Sequence, residues 1–129
     1  NAEVWNGCVF IVARLISAGV VKVDSAIRLF QFGRFDGSEE RLRKVEELLK
    51  LAGVDVELSS DIDKTVWEKF IFISSLATLT SYLDKTVGEI LNSNEHQQTL
   101  INLIAEVSRL AQAKKIAVRE NIEEFTLNR

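Results

Sequence analysis

The chain has 129 residues, 47% hydrophobic and 27% charged, with a formal net charge of -3. That balance is that of an ordinary soluble domain with a core. It argues against a basic nucleic-acid surface, and no apolar run approaches the roughly 20 residues of a membrane-spanning helix. Cys8 has no second cysteine to pair with, which fits a reduced, cytoplasmic setting. The chain opens on Asn1-Ala2 and contains neither Met nor Pro. The opening reads as a remnant of tag removal, so a fragment is expected.

The first elements are strands. Residues 8–13, CVFIVA, form a short apolar run rich in β-branched side chains. Ala18-Gly19 marks a turn, VVKV at 20–23 follows, and RLFQF at 28–32 is a further candidate. Together they predict a β-meander or the edge of a larger sheet. The loop 33–40, GRFDGSEE, offers Asp36 or Ser38 as a helix cap and Glu39 and Glu40 for the positive helix end. Leu42, Val45, Leu48, Leu49 and Ala52 then share one face of an amphipathic helix that Gly53 stops. VDVEL at 54–58 alternates as a half-buried strand does.

From residue 61 the pattern is helical. One helix is predicted over 61–83, a short one over 86–91 and a long one over 95–115, with ENIEEF at 120–125 beginning another. The fold class is therefore α+β: a strand-rich part with one helix over 1–60, then an all-helical part over 61–129. No internal repeat and no low-complexity segment is present.

The helix at 61–83 contains VWEKFIFISSLATLTS, in which almost every position suits a buried helix and Lys69 does not. At about 100° per residue, Asp61, Lys64, Glu68 and Ser75 fall on one narrow side, the expected solvent stripe. Lys69 lies about 100° from Glu68, on a mostly apolar face with Thr65, Ile73, Leu76 and Thr80. Two readings of Lys69 are open. Its stem packs on apolar surface while the ammonium reaches water, or it is a catalytic or ligand-binding lysine lining a cleft.

The residues VWEKF, LATLTS and VGEIL, in that order, resemble the signature of the ketopantoate reductase (2-dehydropantoate 2-reductase) family. The matching positions are Trp67, Lys69, Thr80 with Ser81, and Gly88-Glu89-Ile90. Further matches are Gly7-Cys8-Val9-Phe10, Ala18-Gly19-Val20-Val21, Phe32-Gly33 with Asp36-Gly37, and the approach LLKLAGVDVELSSDI at 48–62. The resemblance implies that residues 1–60 end a Rossmann-type NADP-binding domain and that 61–129 begin a helical substrate and dimerisation domain. It implies reduction of a 2-keto acid to a 2-hydroxy acid with NADPH, as in pantothenate biosynthesis. Lys69 is then the catalytic residue, stabilising the developing alkoxide and delivering its proton. Thr80 is the remaining polar candidate for substrate binding.

The chain carries no Gly-x-Gly-x-x-Gly; its glycines stand at 7, 19, 33, 37, 53 and 88. NADPH is accordingly expected to be held by sequence upstream of this chain, and the fragment alone is expected to be inactive. The family commonly places Asn four and eight residues after the lysine. This chain has Ile73 and Ala77, which hydrogen-bond nothing through their side chains. Either the substrate is less polar, or other helices supply the contacts. The alternative function is a non-catalytic helical interaction module on the same scaffold, with the substrate site lost.

The remaining candidates read as structural. His96 is expected at the surface, with no His/Cys cluster for a metal. Cys8 is expected to be buried and inert, Trp5 and Trp67 in the core, and Asp61 and Asp63 at the helix cap. Glu106 is expected on a helix surface or at an interhelical contact, and 39–50 to present a solvated charged face. The 61–83 helix is apolar nearly all round at Phe70–Ile73, so self-association is expected.

Overall fold

The apolar run at 8–13 is divided between two strands. In the computed structural model, which describes residues 4–34 and 39–127, β1 spans Asn6–Phe10 and β2 spans Ala13–Ser17. The run at 8–13 thus turns a corner at Ile11-Val12. Val12 holds that corner from both sides: its N–H donates to Ser25 Oγ at 2.9 Å, and its carbonyl accepts from Asp24 N–H at 2.9 Å. β3 (Val20–Val23) pairs antiparallel with β2 as a separate two-stranded ribbon, closed by Gly19 at φ 77°. A positive φ is a conformation glycine adopts without a Cβ penalty.

β4 (Leu29–Gly33), α1 (Glu39–Leu51) and β5 (Val56–Leu58) complete the strand-rich part. The strands are not a simple meander. β4 is central, antiparallel to β1 on one side and parallel to β5 on the other, in the order β1-β4-β5. Parallel neighbours need a crossover, and α1 supplies it. α1 ends in a Schellman arrangement: Gly53 sits at φ 79°, its N–H reaches Lys50 O, and Val54 N–H reaches Leu49 O, each at 3.0 Å. Its outer face carries the ion pairs Arg43–Glu39 and Lys44–Glu40, as expected of a solvated face, while Glu46, paired with Lys50, turns inward and accepts the Leu58 N–H at 3.0 Å. Asp36, Gly37 and Ser38, expected to form the preceding loop and cap, lie outside the described residues, as do Asn1 and Ala2.

The chain divides into two compact units, Asn1–Thr65 and Val66–Arg129. Phe32, Leu42 and Val56 are buried at the centre of the first, with Trp5, Phe30, Val45, Leu49 and Leu58 packed around them. Gly33 allows a close approach there. A Cβ at that position would lie 2.9 Å from Ile62 Cβ and 3.1 Å from the Ser59 carbonyl oxygen. Cys8 is buried, as expected.

α2 (Ile62–Leu83), α3 (Val87–Leu91), α4 (Asn94–Ala113) and α5 (Ile122–Leu127) follow. The core of the second unit is Ile71, Leu79, Ile90, Leu100, Ile104, Ala111 and Ile122, with Trp67, Leu76, Leu103 and Val107 packed against it. Leu100, Ile104 and Ala111 recur at helical spacing on α4, which is why its apolar stripe was legible. Among the described residues, no helix is long and apolar enough to cross a membrane.

α3 is short and depends on its start. Thr86 and Glu89 form a capping box: Glu89 N–H donates to Thr86 Oγ1, and Thr86 N–H donates to Glu89 Oε2 at 2.8 Å. The side-chain hydrogen bond from Thr86, then the backbone one, hold the Glu89 carboxyl below the ordinary carboxylate range. A depressed folded pKa means stability that is present at neutral pH and lost as pH falls through that folded value. Thr86→Ala is expected to cost about 1 kcal/mol at pH 7. In urea titrations the loss should shrink in the acid range where Glu89 is protonated. A loss independent of pH would remove Glu89 from the account.

Candidate functional site

α2 starts at a cap. Asp61 Oδ1 accepts the Lys64 N–H at 3.0 Å, as expected for Asp61. Asp63 follows in the first turn, its carboxyl raised by burial and further by the charge of Asp61. The helix then presents two unlike sides, and they are not arranged as its charges predict.

Glu68 is only 8% exposed and Ser75 only 1%, so the supposed solvent stripe does not face solvent there. The reason is Arg119. Its backbone N–H donates to Glu68 Oε1 at 3.0 Å, and its guanidinium donates to Oε2. The guanidinium carbon also lies 3.4 Å from the centroid of the Phe125 ring. A buried carboxylate is tolerated when such hydrogen bonds replace water. Arg119 was not singled out from the sequence. Its setting, Arg119-Glu120-Asn121 between Val118 and Ile122, is polar and gives no signal that sets it apart.

The opposite side of α2 is open. Phe70 is 48% exposed and Ile73 is 46% exposed, and Ala77 is exposed as well. Lys69 is half-buried at the border between the two sides. Lys69, Ile73 and Ala77 stand on successive turns, so an ammonium and an apolar surface lie side by side. Trp67, half-buried against the core, meets Phe70 edge-on at 5.6 Å between ring centroids.

Thr80 shares the angular position of Lys69 but is eleven residues on, roughly 16 Å along the axis. Its Oγ1 donates to the Leu76 carbonyl at 2.8 Å, which leaves the hydroxyl only as an acceptor. The structure therefore does not bring Thr80 together with Lys69. Ser74 Oγ likewise donates to its own helix, to Phe70 O at 2.6 Å. The Gly88-Glu89-Ile90 element has structural roles: Glu89 caps α3, and Ile90 is fully buried in the core.

His96 is half-buried in the first turn of α4, where its backbone N–H meets the Ser93 cap. Glu106 is exposed on α4. Among the described residues, no group of His, Cys, Asp and Glu could hold a metal ion. The start of α2 does not suit a pyrophosphate. The junction from β5 into α2 is occupied by carboxylates, Asp61 on the helix N-terminal amides and Asp63 beside it, where a pyrophosphate would need neutral or basic groups.

A family model described as ketopantoate reductase PanE/ApbA C terminal matches residues 61–129. The chain is 29% identical over 123 residues to an uncharacterized oxidoreductase of Bacillus subtilis, YkpB, covering 95% of this chain and 41% of that protein. A crystal structure of 2-dehydropantoate 2-reductase from Porphyromonas gingivalis superposes with a TM-score of 0.79 at 35% identity, over 96% of this chain and 43% of that one. A D-mandelate dehydrogenase complex with NADH superposes with a TM-score of 0.83 at 18% identity, over 96% of this chain and 42% of that one, and shares the fold. The chain thus spans less than half the length of these relatives.

Proposed function

Because this chain belongs to the ketopantoate reductase family, we propose that it is part of a nicotinamide-dependent oxidoreductase that reduces a 2-keto acid to a 2-hydroxy acid. Residues 1–60 would close a Rossmann-type domain and 61–129 would open the helical substrate domain. NADPH is the hydride source in this reading. It would be held by parts of the protein outside this chain, so these 129 residues alone would be inactive. A reducing, cytoplasmic setting agrees with the lone buried Cys8.

The observation that carries the reading is Lys69, half-buried beside an exposed apolar surface. As a ketone is reduced, negative charge develops on its oxygen. An ammonium shielded from water stabilises that charge far more than a fully hydrated one does. Lys69 can then give the alkoxide its proton. Thr80, committed to Leu76 O, would contribute at most a wall of the pocket. The test is substrate-dependent NADPH oxidation by the full-length protein, which this reading requires and whose absence would refute it.

The second reading, a non-catalytic interaction module, draws on the same exposed Phe70 and Ile73. Both readings make the apolar surface a place of contact. Phe70 and Ile73 on α2, and Leu15, Ile16 and Val21 on the ribbon, are each more than 40% exposed, which supports self-association of the chain. Sedimentation velocity is expected to show a concentration-dependent rise in mass. A constant monomer mass would argue against it.

A further inference from the structure

We propose that Glu68 and Arg119 are positioning residues for Lys69: their buried link sets the rotation of α2, and with it the direction in which the ammonium points. This rests on the reductase reading above and deepens it. The apolar side chains that hold α2 in its unit are Ile71 and Leu79 at the centre of the core, with Trp67 and Leu76 against it. Such burial is non-directional. Hydrogen bonds are directional, and Glu68 accepts one at each oxygen, from the Arg119 backbone N–H and from its guanidinium. Ser74 and Thr80, by contrast, give their hydroxyl protons to carbonyls of α2 itself and fix nothing outside the helix.

Arg119 is held on both sides. Before it, the Ile116 N–H donates to the Ala111 carbonyl at the end of α4, at 3.0 Å. After it, Ile122 is buried in the core, and the Phe125 ring lies against the guanidinium at 3.4 Å. The link therefore ties α2 to an anchored segment at the residue next to Lys69. For stability alone, an apolar pair of similar volume would serve as well as a buried ion pair. What the ion pair adds is a fixed angle. A side-chain tip about 6 Å from the axis moves about 2 Å when a helix turns by about 20°. An error of about 1 Å at a reacting group can cost about 100-fold in rate.

The test is a double-mutant cycle on the full-length protein with NADPH. A panel of 2-keto acids that includes ketopantoate and pyruvate is tried first, and the one the wild type reduces fastest is used. All rates are taken at a temperature where unfolding curves show every variant folded. Arg119→Ala is expected to lower kcat about 10- to 100-fold, with KM changed far less. In the Lys69→Ala background the same substitution should change kcat by less than about twofold, because the group it positions is already gone. A merely structural role would give the same factor in both backgrounds. If Arg119→Ala does not fold, Glu68→Gln, which removes the charge and keeps an acceptor for the Arg119 N–H, takes its place in the cycle. Equal factors in the two backgrounds, or an unchanged kcat in the single variant, would overturn this inference and leave the reductase reading standing. If folded, cofactor-binding wild-type protein reduces no 2-keto acid at all, the reductase reading fails and this inference fails with it.

Discussion

Lys69→Ala in the full-length protein is expected to lower kcat by about 10²- to 10³-fold, the cost of removing one preorganised group that faces a developing oxyanion. The loss should fall on kcat more than on KM, because the alkoxide charge exists in the transition state and not in the bound ketone. Lys69→Arg should recover only part of the rate. A guanidinium keeps the charge but gives up a proton far less readily than an ammonium. The fold should hardly notice the change, since Lys69 is half-buried at the edge of the open side and outside the buried core of its unit. Steady-state kinetics with matched thermal unfolding curves checks both halves. An unchanged kcat would move the chemistry away from Lys69.

Glu68→Ala, one residue away, is expected to bring what Lys69→Ala does not, a large loss of stability. Glu68 accepts hydrogen bonds from both the backbone and the guanidinium of Arg119, and its side chain is 9% exposed. Removing one partner of a buried pair leaves the other without compensation, at a cost of about 3–5 kcal/mol. Arg119 retains 35% side-chain exposure and can rehydrate, so a loss of about 3 kcal/mol is expected. Glu68→Gln keeps an acceptor for the Arg119 N–H and should lose about half as much. Urea unfolding gives both values. A loss below about 0.5 kcal/mol would make the pair no more than a surface ion pair.

The contrast between these neighbours shows what the sequence could and could not reveal. Helices were legible where their signals are local: Gly53 stopping α1 and apolar residues three and four apart on α4. Trp5 and Trp67 pack against the two cores as expected. The break in the 8–13 run was not legible, because no Gly or Pro marks it. Its fixing partners, Asp24 and Ser25, lie a dozen residues on. The pairing of β4 with β5 was not legible for the same reason, since it depends on a crossover through α1. The stripe of Asp61, Lys64, Glu68 and Ser75 was misread because a charge on a helical wheel reads as solvent-facing until its partner is known. Arg119 lies 51 residues away from Glu68 in sequence.

At the candidate site, the sequence made Lys69 conspicuous by the apolar residues around it. The structure adds which of those are exposed. Ile71 is fully buried in the core, while Ile73 stands open on the side next to the lysine. The same geometry separates Thr80 from Lys69, a distance that a face-only reading of the helix ignores. The residues at the lysine's side are therefore Ile73 and Ala77.

The most direct measurement is product analysis of the full-length protein incubated with a 2-keto acid and NADPH deuterated at the transferable position. A 2-hydroxy acid carrying one deuterium per turnover is expected from the wild type, and almost none in the same time from Lys69→Ala. Folded wild-type protein that binds the cofactor but forms no 2-hydroxy acid would contradict the reductase reading.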